Sequence, residues 1–304
     1  MARRLRVQYP GARYHVINRG NYRRDVFETA GAAKAFELTL EEACERHSWR
    51  LHAYAMMRNH FHLALETPEP NLVEGMHWLQ STYATRFNRY RSEHGHLSQG
   101  RYQSPLLEDA AILVRVIDYI HVNPVRAGIV PSAHVGQFRW SSLPHLMKPS
   151  RPRWLVATDL LEQLGLPDTS EGWARYVSHL MSICSDPDAM AREHEELTTG
   201  WTIGTHGWRQ AMAREHSHLA LCAGVESAAS REIKNARWSD LLGGILEDLG
   251  KDQRDIAADA KGASWKVAAA VRRHAGVPHR WIAHALNMGN PSSVRAYVCR
   301  AGRL

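Results

Sequence analysis

Three pairs of histidines have the form His-x-His, and the surrounding sequence gives each pair a different meaning. His60 and His62 lie where FHLALET and the residues before it read as a strand. Strand side chains repeat every two residues, so both imidazoles project from one face and Phe61 points the other way, toward a core. His94 and His96 flank Gly95 in a polar loop, where nothing fixes their geometry. His216 and His218 fall in the helical pattern REHSHL, where residues two apart point about 200° from each other and cannot readily share an ion. Only the first pair is a preformed half-site. A His-x-His pair alone is more often structural or solvated than metal-binding, so it needs a companion.

Tyr119 supplies one. In DYIHVNPV it is followed at i+4 by Asn123, which a helix places one turn away on the same face. Two strand imidazoles and an amide oxygen near a tyrosine make a site with open metal positions. A hard divalent ion there could polarise a phosphate and activate the tyrosine hydroxyl, a poor nucleophile at its ordinary pKa of about 10. Mixed imidazole and oxygen ligands suit Mg2+ or Mn2+ when a substrate phosphate completes the shell. Taken singly, each residue has a plainer role: Tyr119 as a core aromatic, Asn123 as the last residue before Pro124.

The elements that must position these residues are legible in the N-terminal half. RYHVIN alternates and predicts a strand over Arg13 to Asn18, followed by the polar turn RGNYRR. Apolar residues at helical spacing run from Ala32 to Arg46. Trp49 to Met57 and Phe61 to Thr67 read as two strands of a hairpin. Leu72 to Arg91 reads as a long amphipathic helix, PLLED as a short strand, and AAILVRVIDYIHVN as a helix stopped by Pro124. The order β-α-β-β-α-β-α predicts an α+β fold, a ferredoxin-like antiparallel sheet with helices on one face.

From Pro131 to Arg153 the pattern dissolves into proline, serine and basic residues, which predicts a domain boundary. Residues 1–148 would form a catalytic domain, 149–229 a helical region of unknown role, and 230–304 a third, helical domain. In that last part a helix from Trp265 to Ala275, a Gly-Val-Pro turn, WIAHALNMG and PSSVRAYVCR resemble a helix-turn-helix, with Pro291-Ser292-Ser293 capping a recognition helix. Ser292, Ser293 and Arg295 would then touch DNA. A plain three-helix bundle fits the same pattern, although the small Ala283 and Gly289 suit close helix packing.

The 304-residue chain carries a net charge of +7, with arginines recurring beside aromatics in NRGNYRR, TRFNRYR and GRYQS. Guanidinium groups can clasp phosphates while rings stack on unpaired bases. Arg19, Arg23, Arg24, Arg58, Arg101 and Arg126 are the candidates for gripping a nucleic-acid backbone. No run of 18 apolar residues predicts a membrane span, and the four well-separated cysteines argue against a zinc ribbon or a disulfide framework. The expected setting is a reducing cytoplasm, at the nucleoid. No obligate protein partner is evident, which leaves a monomer or a homodimer.

The run AYAMMRNHFHLALETPEPNL, then YATRFNR, GRYQS and DYIHVNPVRAGIV, together with the opening GARYHVINRGNYRR, resemble the REP-associated tyrosine transposases. These are a branch of the single-tyrosine HUH transposases, and the resemblance covers about residues 3 to 145. It implies a ferredoxin-like catalytic domain, a divalent metal, a covalent 5′-phosphotyrosine intermediate, and DNA substrates holding a hairpin flanked by a short guide. His60 and His62 stand at the HUH ligand positions and Tyr119 at the nucleophile. Asn123 stands where related transposases carry Gln. Ser98 departs from the aromatic often found there.

The leading expectation is therefore a metal-dependent transesterase that cuts and rejoins single-stranded or hairpin DNA through Tyr119. Two alternatives stay open. One is a domesticated protein that binds repeat hairpins with little or no cutting. The other is a metal hydrolase that uses water and leaves no covalent adduct.

Overall fold

The alternating ARYHVINR forms β1 (Ala12–Arg19), which pairs along its length with β3 (His60–Thr67) in an antiparallel register that sets Ile17 opposite His62 and Arg19 opposite His60. The computed structural model describes residues 6–217, 231–248, 250, 267–268, 271–272 and 276–301. On its far side β3 pairs antiparallel with β2 (Arg50–Met56). β4 (Leu106–Leu107) lies antiparallel against β1, and β5 (Thr202–Ile203) runs parallel to β4. The order is β2-β3-β1-β4-β5. The first four strands have the antiparallel arrangement that the sequence predicts. The fifth makes the sheet mixed, because a much later segment returns to the open edge of β4.

Three helices cover this sheet. α1 (Ala30–Arg46) opens at Thr29, whose side chain accepts the Ala32 N–H, and α2 (Leu72–Arg91) follows β3. The Phe36 ring of α1 lies 4.7 Å from Phe61 and 5.0 Å from Tyr83 of α2. α3 (Ala110–Arg126) begins at Asp109, which accepts the Ile112 N–H. Its Tyr119 ring lies 5.5 Å from that of His62. Phe61 and His62 are neighbours on a strand and face opposite ways, so α3 covers the sheet face opposite α1 and α2. Helices on a single face, the expected arrangement, would leave α3 half-solvated. Its residues from Val116 to Pro124 are all buried, which requires packing on several sides.

Pro124 does not stop α3, which continues to Arg126. A proline in the final turn removes a single N–H donor. The chain leaves the helix where the Ala127 N–H bonds the Asn123 carbonyl at 2.9 Å.

The segment that looked like a boundary covers an edge instead. The Leu51 N–H donates to the Trp154 carbonyl at 2.7 Å, and the Val156 N–H returns to Leu51 at 2.8 Å. The Met56 N–H reaches the Trp140 carbonyl at 2.8 Å, and the Tyr54 N–H reaches Ser142 Oγ at 2.9 Å. A bare β2 would present these groups as a template for another strand. Loss of hydrophobic periodicity there reflects backbone pairing without regular structure.

Beyond this cover come α4 (Leu143–Leu146), α5 (Thr158–Leu164), α6 (Ser170–Ile183), α7 (Pro187–Thr198) and α8 (His206–Glu215). α5, α6 and α7 all pack on α3. A buried polar chain joins α3 to α6. Tyr176 donates to Asp118 at 2.8 Å, His121 bridges the Tyr176 hydroxyl and Ser142 Oγ at 2.9 Å each, and His179 meets Asp118 at 3.0 Å. Every member has a partner, so the network fixes the helix register instead of leaving orphaned dipoles. Residues Arg6–Arg209 accordingly form one compact unit, and residues 149–209 lie within it.

Gly75 of α2 marks the tightest contact. A Cβ there would lie 2.1 to 2.9 Å from three indole carbons of Trp49, which is fully buried and whose N–H donates to Asn71 Oδ1 at 2.8 Å. Ala is preferred to Gly inside a helix by about 1 kcal/mol, whereas overpacking a rigid ring costs roughly 1–3 kcal/mol or more. Gly75→Ala should therefore lower the urea midpoint of this unit. A rise in the midpoint would mean that Trp49 moves aside freely.

The second compact unit takes in the described residues from Gln210 onward. Its described helices are α9 (Arg231–Asp248), α10 (His279–Ala285) and α11 (Pro291–Ala301). Leu242 and Leu246 of α9 share a buried cluster with Val267, Val271, Ile282, Leu286 and Val294. Between α10 and α11 the chain turns through positive φ at Asn287 and Gly289. α11 is capped by Asn290, whose Oδ1 accepts the Ser292 N–H at 2.9 Å, and not by the serines themselves. Ser292, Ser293 and Arg295 are exposed on its first turns. Most of the helix expected over Trp265 to Ala275, and His218, lie outside the described residues.

Candidate active site

On the α3 face of the sheet, β1, β3 and α3 bring together His15, His60, His62 and Tyr119. The rings of His60 and His62 lie 5.1 Å apart, and Tyr119 stands 5.5 Å from His62 and 5.6 Å from His15. Asn123 and Arg126 come from the last turns of the same helix, and Arg126 Nη2 donates to Asn123 Oδ1 at 3.0 Å.

Hydrogen bonds fix which nitrogen of each histidine keeps its lone pair. His15 Nδ1 lies 2.7 Å from the Leu197 carbonyl, which only accepts, so this nitrogen carries the proton. His15 Nε2 then accepts from His62 Nδ1 at 3.0 Å. His62 Nε2 is left with its lone pair, buried and without a hydrogen-bond partner. His60 Nδ1 faces Asn59 Oδ1 at 2.7 Å, which directs the His60 lone pair to Nε2 in the same way. Burial, aided by the Arg19 and Arg126 charges, brings the His60 pKa down to about 4. Burial and the neighbouring histidines hold His62 well below the ordinary range. Both rings are neutral at pH 7, the form that binds metal.

This donor set fits a divalent ion. A buried imidazole nitrogen with no partner normally costs free energy, and a cation bound at His62 Nε2 and His60 Nε2 would supply the missing interaction. Among the described residues no group of three or more His, Cys, Asp or Glu side chains is placed to hold a metal. Asn123 Oδ1 already accepts from Arg126, so a ligand role for Asn123 requires that bond to give way. The pair is a half-site, whose further ligands would be phosphate and water oxygens.

Tyr119 is buried, and its hydroxyl lies 2.7 Å from His194 Nδ1 of α7 and 3.4 Å from Arg126 Nη2. Burial raises its pKa, while Arg126, Asn123 and Arg19 act to lower it. The outcome is a hydroxyl that is neutral at pH 7.

The expected arginines divide into three kinds. Arg19, Arg23 and Arg101 are exposed, and Tyr22 beside them is 91% exposed with positive φ. Arg24 pairs with Glu93, and Arg58 pairs with Asp25 at 2.7 Å. Those two must trade a carboxylate for a phosphate before they can hold DNA. Arg126 faces inward.

Four contributors lay outside the residues singled out in the sequence: His15, Leu197, His194 and Arg115. His15 was findable, because it sits on a predicted strand and repeats the polar-on-one-face signal of His60 and His62. Arg115 lies four residues before Tyr119 and pairs with Glu193 at 2.9 Å and Glu196 at 2.5 Å, holding α7 against α3. His194 sits in REHEELTTG, where nothing local separates it from a solvated helix face.

Residues 8–123 match the family model described as "Transposase IS200 like". No curated protein matches the chain. Among solved structures the chain is similar to one of a REP-associated tyrosine transposase bound to a REP hairpin. That match has 16% identity and a TM-score of 0.43, and it covers 53% of this chain and 93% of that one.

Proposed function

We propose that this chain, whose residues 8–123 match the IS200-like transposase family model, is a metal-dependent transesterase that cuts and rejoins single-stranded or hairpin DNA. The observation that carries the reading is the convergence of a tyrosine hydroxyl with two imidazole lone pairs on one sheet face, inside the matched span. His60 and His62 would hold Mg2+ or Mn2+, with Asn123 as a further ligand. When bound, such a cation stabilises negative charge on phosphoryl oxygens.

Tyr119 Oη attacks the backbone phosphorus, the bond from phosphorus to the 3′-oxygen breaks, and the 5′-phosphate remains on the tyrosine. Attack by another 3′-hydroxyl reverses the step and rejoins the strand without external energy. Arg126, 3.4 Å from the hydroxyl, steadies charge on Tyr119 as its proton leaves. Arg19, Arg23 and Arg101, with Arg24 and Arg58 once freed, would track the DNA backbone, and the protruding Tyr22 ring fits a base-stacking role. The second compact unit would add a DNA contact through Ser292, Ser293 and Arg295 in a helix-turn-helix-like domain over residues 230–304.

One observation favours a hairpin-binding protein that no longer cuts: Tyr119 is only 2% exposed. The experiment that decides is incubation with 3′-end-labelled hairpin DNA and Mg2+ or Mn2+, followed by denaturing electrophoresis. A label that migrates with the protein supports the transesterase. Tight hairpin binding without an adduct supports the binding protein, and cut DNA without an adduct means that water is the nucleophile.

A further inference from the structure

The hydroxyl of a buried tyrosine needs a proton acceptor, and the groups around Tyr119 differ in whether they can be one. Arg126 can only donate. The Asn123 amide takes up no proton. Asp118, the nearest carboxylate in sequence, is turned away and committed to Tyr176 and His179. The lone pairs of His60 and His62 are those suited to a cation. His194 remains. Its Nδ1 is 2.7 Å from the Tyr119 hydroxyl, and the two rings stack at 5.8 Å with an interplanar angle of 19°. Arg126 donates to a lone pair of the same oxygen, and in the His194 tautomer that leaves Nδ1 unprotonated the Tyr119 O–H donates to that nitrogen.

The contact is held in place from both sides. Arg115, one turn before Tyr119 on α3, grips Glu193 and Glu196, which bracket His194 on α7. One turn further along α7, the Leu197 carbonyl holds His15 and through it the His62 ring. The groups facing His194 are Tyr119 and Arg126 from α3, Arg19 and His15 from β1, and His60 and His62 from β3.

We propose that His194 is a catalytic residue of the strand-transfer reaction, the general base that takes the Tyr119 proton during cleavage and returns it during rejoining. The assignment rests on the transesterase reading. In cleavage the Tyr119 O–H proton passes to His194 Nδ1, the bond from Tyr119 Oη to phosphorus forms, and the bond from phosphorus to the 3′-oxygen breaks. The departing 3′-oxygen takes a proton from water, and the imidazolium later releases its own to solvent. Rejoining runs the same transfers backward, and no oxidant, reductant or co-substrate is consumed.

The test is single-turnover cleavage of labelled hairpin DNA by the full chain with Mn2+. General-base catalysis contributes roughly 10²–10⁴-fold, so His194→Ala and His194→Gln should both cut slower by about that factor with hairpin affinity unchanged. Gln keeps a hydrogen-bonding side chain that cannot take up a proton, so its defect separates chemistry from packing. Added imidazole should restore part of the His194→Ala rate. Difluorotyrosine at position 119, which ionises more readily, should shrink the defect.

Either variant cutting within about threefold of wild type, or faster, overturns the proposal; a faster rate would make α7 a cover over Tyr119. A slow rate that neither imidazole nor difluorotyrosine alters overturns it as well. Wild-type protein that leaves no tyrosine adduct, or Tyr119→Phe that still cuts, sinks instead the transesterase reading beneath it.

Discussion

Tyr119→Phe should abolish strand cutting and covalent attachment to DNA while leaving the protein folded and hairpin binding intact. The substitution removes one oxygen and keeps the ring that packs against His15, His62 and His194. Its cost to stability is that of leaving His194 Nδ1 and one Arg126 donor without a partner, about 1 kcal/mol or a little more. The cost to chemistry is total, because among the described residues no other hydroxyl contacts the rings of His60 or His62. Denaturing electrophoresis reads the adduct, and thermal melting confirms the fold. Cutting at near the wild-type rate would return Tyr119 to the role of core aromatic and point to water as the nucleophile.

His62→Ala should have the second-largest effect, and its first readout is metal binding without DNA. With Mn2+ followed by electron paramagnetic resonance, wild type should bind and His62→Ala should not, because the buried Nε2 lone pair is half of the donor set. His60→Ala should weaken binding by a similar mechanism from a more solvated position. His15→Ala discriminates further. It leaves both ligands in place but frees His62 to rotate or change tautomer, and outer-shell losses of this kind typically cost about 10–100-fold in affinity. Asn123→Ala should be the mildest, since Arg126 already occupies its oxygen. Unchanged Mn2+ binding in His62→Ala would remove the metal from this site altogether.

The parts of this site that could be read in the sequence are those where periodicity carries direction. Two residues apart on a strand means one face, and four apart on a helix means one face, so His60 with His62 and Tyr119 with Asn123 were legible as pairs. Their meeting was expected through the family resemblance and not through periodicity, since it depends on α3 crossing the sheet face opposite α1 and α2. Within the core, Phe61 and His62 report that choice only once their partners are known. The cover over β2 was illegible for another reason. It pairs through main-chain groups of residues 140–156, and backbone hydrogen bonding leaves no mark on side-chain pattern. The same holds for Leu197, which acts through its carbonyl.

α7 reaches the pocket from far along the chain, for His194 lies 75 residues beyond Tyr119. During synthesis at about 5–20 residues per second, β1, β3 and α3 leave the ribosome seconds before the wall that closes over them. For that interval Tyr119 and His62 face water, His15 lacks the Leu197 carbonyl that orients it, and the Tyr119 hydroxyl lacks its His194 partner. Chains cut short by premature termination or proteolysis before Pro187 would stay in that state permanently. Under the proposed function, the order of elements along the chain would act as a safeguard: the part of the fold that grips DNA would be made before the part that completes the cutting site.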